Sequence, residues 1–106
     1  MNFDLLEKQL NQISHNYYYQ TYRNDSLARS FVNDNKYKIH DTILYMRQYP
    51  EGVISLRYLS NDFFLSMINL IIQHGISVLQ FQPYGDTAPN KQDKESRVFI
   101  HYKINA

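Results

Sequence analysis

The side chains here that could do chemistry are four histidines, ten carboxylates and ten tyrosines, with no cysteine to serve as a thiolate. His15, His40, His74 and His101 stand far apart, and no two share the i, i+4 spacing that puts metal ligands on one helical face. His40-Asp41 is the one adjacent histidine–acid pair, but neighbours on a strand point to opposite faces, so Asp41 reads more simply as a helix cap. None of the three glycines, 52, 75 and 85, frames a nucleophile elbow, and three are too few for a phosphate-cradling loop. No metal, no cofactor and no catalytic residue is therefore expected. The one enzymatic route left is a small metal-independent enzyme whose His, Tyr and Arg meet only in the fold.

Two stretches carry binding chemistry instead. RVFIHYKIN, 97–105, interleaves Arg97, Phe99, His101 and Lys103 with apolar residues at strand period. Rings that stack on bases and cations that track phosphates are what single-stranded nucleic acid needs, and Arg57 and Arg47 could join them from neighbouring strands. The second stretch, HNYYYQTYR at 15–23, offers rigid amphipathic rings of the kind that anchor protein interfaces.

Composition narrows the partners. A net charge of +1 over 106 residues lacks the basic excess of a protein that grips duplex phosphates. A hydrophobic content of 43% with 20% charged residues suits a single folded domain spanning 1–106. The opening MNFDLLEKQL has acids where a secretory leader has a basic patch, and no apolar run reaches bilayer length. A cytoplasmic protein without membrane contact is expected. Phe, Tyr, Met, Ile, Asn and Lys supply 45 residues against 14 of Gly, Ala, Arg and Pro, the skew of AT-rich codons and so of a low-GC bacterium, its phage or its plasmid.

The elements that must position these groups follow from periodicity. Phe3, Leu6, Leu10, Ile13 and Tyr17 recur at spacings of 3 and 4, the seam of an amphipathic helix. At about 100° per residue, all five lie within about 40° of one line. Tyr17 is thus expected in the core, with His15, Tyr18, Tyr19 and Tyr22 as a second aromatic patch on the far side, either covered by residues 24–40 or displayed to another molecule. Asn24-Asp25-Ser26 reads as a cap for a second, short helix closing at Asn33-Asp34-Asn35. Residues 41–49 fit either a helix ended by Pro50 and Gly52 or a strand.

Residues 53–59 predict a strand, 61–73 a helix capped by Ser60 or Asn61 and ended by His74-Gly75, and 76–82 another strand. Such short joints predict a β-α-β unit with parallel strands. Residues 83–96 are rich in breakers and predict an exposed loop; 97–105 predicts a C-terminal strand antiparallel to 76–82. The helix 61–73 is apolar nearly all round, so the N-terminal helix or a second copy of the chain must cover it. The expected architecture is α+β: N-terminal helices on a small mixed sheet of three to four strands. The expected function is a non-catalytic protein-binding module of regulatory, inhibitory or immunity type, acting on another protein or as a homodimer through the aromatic helix surface. Single-stranded nucleic-acid binding on the last strand is the alternative.

Overall fold

The computed structural model describes residues 1–83 and 96–105. Helices α1 (Phe3–Thr21) and α2 (Asp25–Gln48) come first, followed by strand β1 (Glu51–Arg57), helix α3 (Asn61–Gln73) and strands β2 (Ile76–Pro83) and β3 (Arg97–Ile104). The fold is α+β, with the sheet order β1-β3-β2. Each helix begins where a side chain can accept an orphan amide: Asn2 from Leu5, Asn24 from Leu27, Ser60 from Phe63. Gly75, at φ 88°, turns the chain out of α3 in a conformation that a β-carbon would strain.

The sheet corrects one expectation. β1 and β2 do run the same way, but β3 lies between them and pairs antiparallel with both, so the sheet is antiparallel throughout and not mixed. Short joints around α3 fix the direction of β2, not its neighbour. The longer connection before β3 lets that strand return into the gap, where it forms two antiparallel ladders in place of one slanted parallel one. Alternation on β3 is as the period requires: Val98, Ile100 and Tyr102 are buried while Phe99 and Lys103 face out. The register on β2 shifts between Val78 and Gln80, a bulge that leaves Leu79 half exposed.

Helices cover one face of the sheet. α2 lies along β1, α3 along β2, and α1 packs between the two helices. Ile54, Leu56, Ile76, Val98, Ile100 and Tyr102 from the sheet meet Leu6, Leu10, Ile39, Ile43, Met46, Phe63, Met67 and Ile71 from the helices in one core. α3 is covered by β2 and α1, as its apolar girth demands, while Leu65 and Ile72 stay half exposed.

Helix α2 is the larger correction. The expected short helix and the ambiguous 41–49 segment are one helix of 24 residues, unbroken through Asn33-Asp34-Asn35. Ala28, Asn35, Ile39, Ile43 and Met46 form its buried line, with a polar residue occupying one step of the seam. Asn35, 4% exposed, donates from Nδ2 to Ser14 Oγ on α1 at 2.9 Å. A buried amide with a partner costs little, so the helix continues where apolar periodicity signals a stop. Residues 84–95, the bulk of the expected loop, lie outside the described residues.

Candidate functional site

Ser14 also explains where the tyrosines go. The fully buried line of α1 is Leu6, Leu10, Ser14 and Tyr18, at a strict spacing of four. That line is centred about 40° toward α2 from the predicted seam. Tyr18 is accordingly buried, 1% exposed, not displayed on a far-side patch. Its ring stacks with Phe31 and Tyr22 at 5.7 and 6.1 Å and meets Phe63 edge-on at 5.9 Å. Tyr17 is half buried instead of fully buried: its hydroxyl bonds to Ser66 Oγ at 3.1 Å and its ring meets Phe63. Tyr22 is half buried against Phe31. Of the four expected patch residues, only His15 is exposed, and half-buried Tyr19 lies ring on ring with it at 4.5 Å. α2 has folded over the rest, so no aromatic patch of the expected size exists on α1.

The nucleic-acid residues divide as well. Arg97, Phe99, His101 and Lys103 do share the sheet face that the helices leave open. Arg57 does not join them: it is 5% exposed, donates from Nε to Tyr18 Oη at 3.1 Å and from Nη1 to the Ser96 carbonyl at 2.8 Å. At the end of β1 its long stem turns toward the aromatic core. Burial raises the Tyr18 phenol above its ordinary pKa, with the Arg57 guanidinium working in the opposite direction. The expected contribution of Arg47 is also absent from the sheet, since it pairs with Asp4 on α1 at 2.6 Å.

Two of the polar side chains on the open face are held by bonds within the sheet. His101 pairs with Glu51 at 3.2 Å. Arg97 donates from Nε to Ser55 Oγ at 2.9 Å and from Nη2 to the Ser55 carbonyl at 3.0 Å. Between these charges, Val53, Gln80, Phe81, Gln82, Phe99 and His101 line a hollow of about 180 Å³. Val53 and Phe81 are each more than half exposed, and Phe99 is 38% exposed. Phe81 is the ladder partner of buried Ile100, so its ring turns to the helix side, where it meets Phe64 of α3 at 5.4 Å, and it borders the hollow only from the sheet edge. Among the described residues the other edge of β2 pairs with no strand, and its sequence, ISVLQFQP, contains no charge. Only Phe99 and His101 of this hollow were singled out by sequence. Val53 and the β2 residues needed the pairing order to be brought beside them.

A second depression lies between α1 and α2, where Glu7, Asn33, Lys36, Tyr37 and His40 line a groove of about 530 Å³. His40 Nδ1 donates to Glu7 Oε2 at 2.9 Å there. Its lining side chains carry both signs of charge, Glu7 together with Lys36 and His40. Among the described residues no three His, Asp or Glu side chains converge as a metal site, and no helix is long and apolar enough to cross a membrane. Comparison with family models, with curated proteins and with solved structures gives no match.

Proposed function

We propose that this chain is a small non-catalytic protein-binding module of the cytoplasm, and that its working surface is the open face of the sheet along β2, not the tyrosine-rich end of α1. The observation that carries the proposal is the hollow itself: two exposed apolar side chains, Val53 and Phe99, bordered by two amides and an imidazole, beside an uncharged strand whose other edge no described strand pairs. Apolar side chains gathered in one place on a small domain call for a partner surface. The free edge adds unladdered backbone donors and acceptors, which an extended segment of another protein can pair with while its side chains enter the hollow. Regulation or inhibition of that partner is the role such a module serves.

The test is a random-peptide display selection against the folded protein. Enriched peptides should carry apolar residues at alternate positions, as an extended strand requires, and should bind the Val53→Ser/Phe99→Ser variant at least about tenfold more weakly. Failure to enrich any peptide, or equal binding to the variant, would contradict the proposal.

Single-stranded nucleic acid is the second reading, favoured by the common face of Phe99, His101 and Lys103. It is weakened by the burial of Arg57 and by the pairing of His101 with Glu51. It requires oligonucleotide binding that falls steeply with salt and disappears in Arg97→Ala/Lys103→Ala.

A further inference from the structure

Arg57 is the point in this molecule where buried charge and hydrogen bonding fail to balance. A guanidinium has five N–H donors in a fixed plane and is always charged. Here Nε is satisfied by Tyr18 Oη and Nη1 by the Ser96 carbonyl, both neutral oxygens. Nη2 is buried and has no hydrogen-bond partner. No ion pair between Arg57 and a carboxylate occurs among the described residues. A buried cation without an anion is a large cost, and a buried N–H without an acceptor adds to it.

Arg97 is the ladder partner of Arg57, so the two arginines occupy the same rung of the β1–β3 pair. Three residues beyond Arg57 the chain enters α3 at its N-cap, Ser60, so the positive end of a helix dipole lies nearby in the chain. Asp62, in the first turn of α3, is exposed and forms no ion pair with Arg57.

We infer that the carboxyl end of β1 is a binding site for an oxoanion, a phosphate or carboxylate group, whose oxygen accepts from Arg57 Nη2. Oxoanions match the planar fork of a guanidinium, and charge-assisted bonds of this type are the strongest that arginine makes. Tyr18 and Ser96 hold the Nε and Nη1 edges of that fork, so the group is oriented before the anion arrives. The site is separate from the open-face hollow, and neither depends on the other.

The test uses the full chain with ¹⁵N-labelled arginine, titrated with sodium phosphate, sodium acetate or sodium chloride at constant ionic strength. The Arg57 Nε–H resonance should shift saturably with phosphate, with acetate or with both. The thermal midpoint should rise by about 4 °C or more once the effective anion exceeds its dissociation constant about fivefold. A response to phosphate alone assigns the site to phosphate groups, and to acetate alone assigns it to carboxylates. In Arg57→Lys, which keeps the charge and loses the fork, binding should weaken at least about tenfold. If neither oxoanion gives a saturable shift beyond that of chloride, or if Arg57→Lys responds as the wild type does, the inference is overturned. Should Arg57→Lys fail to fold, the wild-type titration alone decides.

Discussion

Ser14 and Asn35 settle the fate of the tyrosines. Their bond lets α2 pass close to α1 at a step where two small or polar residues meet, and that approach carries Phe31 over Tyr18. Hydrophobic periodicity cannot register such a pair, because both residues score as polar on helices that otherwise alternate well. Hence Tyr18 was legible as helical and aromatic, while the choice between a covered and a displayed ring stayed open. Replacing Tyr18 by Ser should cost about 3 kcal/mol or more in urea unfolding, the scale for emptying an aromatic core position. Tyr19→Ser, in contact with exposed His15, should cost less than about 1 kcal/mol. Equal effects at the two positions would contradict the placement of α2.

Tyr102 allows a test of the core from pH. It is fully buried on β3, its hydroxyl donates to the Tyr49 carbonyl, and burial followed by the nearby Tyr45 pushes its pKa up to about 12. Unfolded tyrosine ionises near 10. Between those values the unfolded chain releases a proton that the folded chain keeps, so stability is intact below about pH 10 and declines as pH rises toward 12. The contribution of Tyr102 should reach about 2 to 3 kcal/mol, and Tyr102→Phe should lose that much less, with the raised Tyr18 phenol still contributing. Denaturant midpoints measured across this range would show it.

At the scale of elements, strong periods were legible and pairing was not. β3 alternates as its sequence requires, α3 lies within its predicted bounds, and the first helix begins at Phe3 as its seam indicates. The neighbour order of the strands depends on how the chain returns after β2, which no local pattern encodes. The continuity of α2 was lost at Asn33-Asp34-Asn35, a run that favours caps in isolation and is held helical here by packing on both sides of it. Asn33 lies in the middle of α2 and is exposed, so Asn33→Pro removes no core contact and tests continuity alone. It should destabilise the protein by about 3 kcal/mol with a loss of helical circular dichroism. A neutral effect would mean that two short helices flank a turn at this position.

For the whole molecule, function follows from what the helices leave uncovered. Among the described residues, three helices on one face of three strands leave the other face uncovered by any helix, and the bulge at Leu79 with the unpaired edge of β2 makes one side of that face the more open. Arg97, Phe99, His101 and Lys103 were legible in the sequence as a shared face. The pairing of His101 with Glu51, and the apolar company of Val53, were not, because they arise from strands that are distant in sequence. The hollow sets apolar area beside polar and charged side chains, the mixed surface that a polypeptide partner matches. Hydrogen–deuterium exchange on the chain bound to a display-selected peptide tests this most directly. The account predicts slowed exchange across residues 76–82 as the free edge of β2 gains a strand, with the α1–α2 groove unchanged; protection confined to α1 and α2, with β2 exchanging as in the free protein, would contradict it.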